Sequence, residues 1–295
     1  MVRSFVFVVI VNLLVCGVGG NMLVSAQTPN IVETDSIADH ALGEVVVTGR
    51  AVRDRMSAVQ VGVERLELSR LADAPSMFGE NDIVKSISLL PGVHAEGEGA
   101  GGFEVRGGTA SQNLVMLNGA TLYNPTHVLG IFSSFNDDAI GRATLFKGPF
   151  PASYGDATSA ILETALVPGD MEAYHGSATV GILAAKIKAE GPVVRDRLSF
   201  AVTARRSYVD MFLKMIPKYR DTEMNFYDVT ASLRWIPRSG EMVDVSFIGG
   251  RDNMGITDLM DMRWGNLGGS VSWHVNRSDR WRFSTVAAAT NYTTT

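Results

Sequence analysis

From Gly176 onward, side chains alternate between apolar and polar at period two, segment after segment, the signature of β-strands with one greasy and one wet face. In Leu198–Arg205 the set Leu198, Phe200, Val202 and Ala204 points one way, and Ser199, Thr203 and Arg205 point the other. Tyr227–Trp235 repeats the scheme, with Tyr227, Val229, Ala231, Leu233 and Trp235 opposite Asp228, Thr230, Ser232 and Arg234. Val243, Val245 and Phe247 face away from Asp244 and Ser246, and Val271, Trp273 and Val275 away from Ser270, Ser272 and His274. With Ser177–Glu190 and Trp281–Tyr292 added, the pattern predicts about six strands of about 10 residues. Two architectures accept such strands. A soluble sandwich buries the apolar faces against each other, whereas a membrane barrel turns them to lipid and keeps the polar set inside. Trp235, Trp273 and Trp281 lie near strand ends, where membrane barrels carry aromatic girdles.

Short connections (Gly191–Arg197, Pro237–Gly240, Asn276–Arg280) alternate with long ones (Ser207–Asn225, Asp252–Gly265), as in barrels with brief turns on one rim and long loops on the other. If the short turns share a rim, the strand beginning near Ser177 starts from the opposite one, so the route of the chain into the sheet is left open. Beyond the first 26 residues no apolar run approaches the roughly 20 residues of a spanning helix, so any crossing of a membrane must be made by strands.

Ahead of the strands the chain divides into three. Residues 1–26 read as a signal peptide: Arg3, the apolar stretch Phe5–Val15, and Val24-Ser25-Ala26 as a small-residue cleavage site. Residues 27–50 are polar and aperiodic up to about Gly43 and predict a flexible segment. It ends in the β-branched run Glu44-Val45-Val46-Val47-Thr48, which by its residues is either an edge strand or a free strand able to pair with a partner's sheet. Residues 51–168 mix one helix with short strands. Asn81 or Asp82 caps a helix bearing Ile83, Ile87 and Leu90, and Pro91-Gly92 stops it. Phe103–Arg106, Leu114–Leu117 and Ala143–Phe146 each run into a glycine turn, which predicts a compact α+β domain. Residues 169–295 hold the alternating strands.

Several function classes find no support. A net charge of -5 and the absence of a basic run longer than Arg205-Arg206 argue against nucleic acid. The single cysteine, Cys16, lies in the leader, and the five histidines (His40, His94, His127, His175, His274) have no metal-ligand spacing, so the expectation is no metal and no cofactor. Gly97–Gly102 fits GxGxxG literally, but the following Phe103–Arg106 reads as strand where a dinucleotide site needs a helix. With no GxSxG elbow and no catalytic residues to name, an enzyme is not expected.

Three ordered motifs carry a resemblance. Ile83-Val84 through Leu89-Leu90-Pro91-Gly92-Val93 and Phe103-Glu104-Val105-Arg106-Gly107-Gly108 come first; Leu117–Pro125 with Ile131–Phe135 and Asp138–Ile140 follow; Leu145–Gly155 closes the series. Together, over about Glu44 to Pro168, they resemble the TonB-dependent outer-membrane receptors, in a Bacteroidetes-like flavour. The resemblance implies an α+β plug domain followed by the N-terminal part of an antiparallel transmembrane β-barrel in the cell outer membrane. It implies that Glu44, Val45, Val46, Val47 and Thr48 are the TonB box, presented to TonB of the TonB-ExbB-ExbD complex. Arg106 then looks like a latch to carboxylates on the inner barrel wall, beside Gly107 and Gly108, with Asn118, Gly119, Lys147, Gly148, Tyr154 and Gly155 as further plug-motif positions. The implied function is active uptake of a small scarce nutrient, such as siderophore-iron, cobalamin or an oligosaccharide. Outer-membrane lipid surrounds the receptor, and there is room for a surface lipoprotein as a partner. The competing reading is a secreted β-rich binding or adhesion protein. Plugged transporters have about 22 strands, so about six predict an incomplete barrel that does not transport unaided.

Overall fold

The computed structural model describes residues 62–66, 81–96, 101–128, 130–151, 154–256, 260–277 and 281–295. The leader, the 44–48 strand and positions 97–100 of the glycine run lie outside the described residues.

Helix α1 (Ile83–Ile87) starts where the sequence predicts, because Asp82 is extended and its Oδ1 accepts from the N–H groups of Val84 (2.8 Å) and Lys85 (3.2 Å). Its apolar face buries Ile83, Val84 and Ile87. The other Asp82 oxygen accepts from Ser133 N–H at 3.0 Å, tying the cap to a distant hairpin. Asp82→Ala therefore loses three bonds, and we expect a loss of about 1–2 kcal/mol in denaturant unfolding. An unchanged midpoint would show that water replaces the cap.

Around α1 are β1 (Val63–Leu66), β2 (Val93–Ala95), β3 (Phe103–Val105), β4 (Leu114–Leu117), β5 (Ala120–Thr121), β6 (Thr126–His127), β7 (Phe132–Ser133), β8 (Ile140–Phe146) and β9 (Ile161–Leu166). Five of them form a sheet in the order β1-β8-β9-β4-β5, with β2-β3 and β6-β7 as separate hairpins. Asn118 (φ 47) and Gly119 (φ 83) make the two-residue turn from β4 to β5, a left-handed pair that Asn-Gly adopts readily. Phe103, Leu117, Leu145, Ile161, Leu162 and Phe135 are fully buried, each side chain contributing about 1.5–3 kcal/mol. Six strands had escaped the sequence reading: β1, β2, β5, β6, β7 and β9. The first five are only 2 to 4 residues long and are set by the strands they pair with rather than by any period of their own.

The second sheet is an antiparallel meander of seven strands in chain order: β10 (His175–Val180), β11 (Ala184–Val194), β12 (Leu198–Ser207), β13 (Thr222–Trp235), β14 (Glu241–Ile256), β15 (Met260–Asn276) and β16 (Arg282–Thr294). It is open, with β10 and β16 as edges.

Two readings of this region need correction. Ser177–Glu190 is a hairpin rather than one strand, closed by Gly181 N–H to Ala184 C=O at 2.8 Å. Ile182 and Leu183 keep the turn apolar, so the alternation gave no sign of it, and the sheet has seven strands rather than about six. Asp252–Gly265 is mostly strand rather than a long connection, paired from Asp252↔Trp264 out to Ile256↔Met260. Its polar residues hid a strand that is fixed by its neighbour.

The extra hairpin also settles how the chain enters the sheet. The ends of β11, β13 and β15 share one rim with the starts of β12, β14 and β16, and β10 now starts from that rim. The linker after β9 runs along the same rim, with Val167 C=O accepting from Ser232 Oγ at 2.8 Å. Gly169 lies so close to β12 that a Cβ there would run into the Phe200 backbone.

Burial on this sheet is inverted relative to a soluble protein. Ser199, Thr203, Arg205, Asp228, Thr230, Ser246, Asp252 and Ser270 are buried, while Tyr227, Leu233, Phe247, Val271 and Phe283 are exposed. Paired Trp235↔Val243↔Trp273 put two exposed tryptophans at one level near the short-turn rim, with Trp281 stacked on Phe283 beside them.

Candidate functional site

The polar face of the meander holds the first domain through one register row. Direct pairing Lys186↔Arg205↔Asp228↔Gly250↔Asn266 puts these five residues side by side on β11 to β15, on the same face of the sheet. All meet one segment, Tyr123–Asp138. Lys186 Nζ reaches Asp137 (2.5 Å) and Asp138 (3.2 Å). Arg205 donates to Ser133 C=O at 2.6 Å. Asn266 Nδ2 donates to Asn124 C=O (2.9 Å), and its Oδ1 accepts from Tyr123 N–H (3.3 Å).

His127 sits at the centre of this row. Its Nδ1 is 2.6 Å from Asp252 Oδ2, and its Nε2 is 3.3 Å from Asp228 Oδ1, an ion-pair contact rather than an aligned hydrogen bond. The ring lies flat on Phe226 at 4.4 Å and 3°, and Arg205 covers the same phenyl ring at 5.0 Å. Arg205 Nε donates to the other oxygen of Asp228 at 2.6 Å. Asp252 Oδ1 accepts from Val128 N–H at 2.9 Å. Val128 has φ 50, a conformation that a β-branched residue adopts only under constraint, so the Asp252 bond helps to hold a strained corner of the hairpin.

A neutral imidazole donates from one nitrogen only, so carboxylates on both sides call for the doubly protonated ring. Burial by itself would lower the His127 pKa, but Asp228 and Asp252 outweigh it and push it up to about 9. With the proton in place, His127 and Arg205 balance Asp228 and Asp252.

Other positions singled out in the sequence lie elsewhere. Glu44, Val45, Val46, Val47 and Thr48 are outside the described residues. Arg106 is exposed at a turn with φ 51, stem beside Gly92 and guanidinium over Gly148; Gly107 and Gly108 complete the turn through Gly108 N–H to Val105 C=O. Asn118 Oδ1 accepts from Leu166 N–H at 3.1 Å, and Gly119 packs against Val286 of β16. Lys147 is buried and donates to Glu64 (3.0 Å) and Pro91 C=O (3.1 Å), joining β1 to the end of α1. Tyr154 donates to Glu163 at 2.6 Å, and burial followed by that carboxylate raises its pKa; Gly155 follows it in an open turn. None of these belongs to the His127 cluster. Among the described residues no three His, Cys, Asp or Glu side chains gather as a metal site.

Sequence reasoning missed His127, Asp252, Lys186, Asp137 and Asp138, and treated Arg205 and Asp228 only as members of a wet face. A signal was there to be read: charged residues at inward positions of four strands, β11 to β14, need partners inside.

Residues 64–161 match the family described as the TonB-dependent Receptor Plug Domain. No curated protein matches the chain. Among solved structures, the chain is similar to the siderophore receptor PirA from Acinetobacter baumannii, with 15% identity and a TM-score of 0.59 over 78% of this chain and 40% of that one. The ferric yersiniabactin uptake receptor FyuA from Yersinia pestis gives 16% and 0.58 over 81% and 42%. The outer membrane transporter YddB from Escherichia coli gives 10% and 0.54 over 78% and 38%. The chain thus spans about two fifths of the length of these structures.

Proposed function

We propose, from the match of residues 64–161 to the TonB-dependent receptor plug domain and the seven-stranded antiparallel sheet that follows it, that this chain is part of an outer-membrane receptor for TonB-coupled uptake of a small nutrient. In this reading 169–295 are the first strands of the barrel wall, and the domain of 51–168 corks its lumen. The 44–48 strand offers its backbone to TonB, whose pull supplies work that the outer membrane cannot generate. In the same reading Arg106 latches to carboxylates on the inner barrel wall, with Gly107, Gly108, Asn118, Gly119, Lys147, Gly148, Tyr154 and Gly155 shaping the plug around it. One structural neighbour is named as a siderophore receptor and another as a ferric yersiniabactin uptake receptor, which supports an iron chelate as the first cargo to test. The role is transport, with no chemical step.

One observation carries this reading: the sheet buries its polar side chains under the plug and exposes its apolar ones, with Trp235 47%, Trp273 50% and Trp281 63% exposed. A secreted sandwich would bury that apolar face. The test uses single-tryptophan variants of the receptor in vesicles with brominated acyl chains. Trp235, Trp273 and Trp281 should be strongly quenched, while Trp264, buried on the plug side, should keep its emission. A receptor found soluble in the periplasm, or equal quenching of all four, would overturn the reading.

A further inference from the structure

We propose that His127, Asp228 and Asp252 form a proton-dependent clasp, in which a proton on His127 fastens the Tyr123–Asp138 segment of the plug to the wall and its loss frees that segment. The inference rests on the transport reading for its purpose, since only a plug that must move needs a fastening that opens, and on geometry for its existence.

The geometry is specific. His127 is held between carboxylates of two adjacent wall strands, Asp228 at 3.3 Å and Asp252 at 2.6 Å, and is 3% exposed. The charged groups facing it are few. From β12 comes Arg205, already bound to Asp228; β13 and β14 give Asp228 and Asp252. From β15 come Trp264 and Asn266, both neutral, and the plug's own Asn124 and Ser134 are neutral as well. Farther along, Asp137 and Asp138 are engaged by Lys186, and Asp82 by Ser133 N–H. A protonated His127 makes the cluster two cations against two anions. Deprotonation leaves a net negative charge in a closed, apolar-floored site and removes one of the two N–H donors, so Asp228 or Asp252 loses its contact to the ring and keeps only Arg205 or Val128 N–H, respectively. The segment bound by Asp252 includes Val128 at φ 50, so opening also releases backbone strain.

The direction with pH follows from linkage. His127 has a higher affinity for its proton when the clasp is closed (about 9) than at its ordinary value of 6.5. Closure is therefore at full strength below 6.5, weakens as pH rises between these values, and has lost the proton's contribution above about 9. One proton gives a slope of about tenfold in the closing constant per pH unit.

The test is hydrogen exchange by mass spectrometry on the receptor in lipid nanodiscs, corrected for the intrinsic pH dependence of exchange. Peptides covering 126–133 should lose about tenfold in protection per pH unit across that window, while peptides covering β9 stay protected. His127→Gln should give low protection with no slope. His127→Lys, whose cation has an ordinary pKa of about 10.4, should move the loss to higher pH, and it keeps the test decisive if the glutamine variant does not fold. Flat wild-type protection, a slope that survives His127→Gln, or joint loosening of β9 would each overturn the clasp. None of these touches the bromolipid result, so failure of the clasp and failure of the membrane reading are told apart.

Discussion

Replacing Asp228 by alanine should destabilise the docked plug by about 3–5 kcal/mol, the cost of leaving buried charge without its partner. Asp228 is 3% exposed and stands between Arg205 at 2.6 Å and His127 at 3.3 Å. Without it, two cations share the Phe226 ring, and only Asp252 remains to oppose them. Arg205 keeps its bond to Ser133 C=O, so part of the segment stays attached while its charge goes unmatched. The companion double variant Arg205→Met with Asp228→Leu removes both charges, and it should recover much of the loss because apolar replacement of a buried pair is often near neutral. Denaturant titration monitored by exchange protection of 123–138 measures both. An alanine variant within about 1 kcal/mol of wild type, the worth of an exposed pair, would show that water reaches the cluster.

Phe247→Arg should cost about 2–4 kcal/mol in refolding into bilayers, whereas Trp235→Arg, near the rim, should cost about 0–1 kcal/mol for its charge. Phe247 is paired with Ala231 and Gly269, four residues along β14 from the Trp235↔Val243↔Trp273 level, and its ring is exposed. Four residues along a tilted strand place it toward the middle of an apolar band about 25 Å tall. The gradient with depth is the informative quantity, because only a lipid-facing wall makes the same charge more costly toward the bilayer centre. On a soluble sheet both positions are exposed, and both substitutions would be mild. Equal costs at the two positions would exclude a lipid-facing wall.

Much of the fold was legible because local rules and tertiary structure agree. Asp82 caps α1 as an aspartate before an apolar-periodic run should, and Asn118-Gly119 turns the chain between two short strands. The alternation in Tyr227–Trp235 fixes which side chains face out, since a strand has a period of two wherever it lies. The sequence was silent where an element owes its existence to a neighbour. Residues 252–256 and 260–264 are strand because each supplies the other's hydrogen bonds, and the 181–183 turn is set by pairing rather than by a breaker cluster.

The sequence by itself determined a sheet with one greasy and one wet face, and an α+β domain before it. Only the tertiary structure decided that the wet face grips that domain, and through which residues. His127 and Asp252 are 125 positions apart, and Arg205 and Asp228 are 23 apart. Strand periodicity states which way a side chain points, but the register between strands and the docking of a separate domain choose what it meets, and both are long-range choices made by the packed whole.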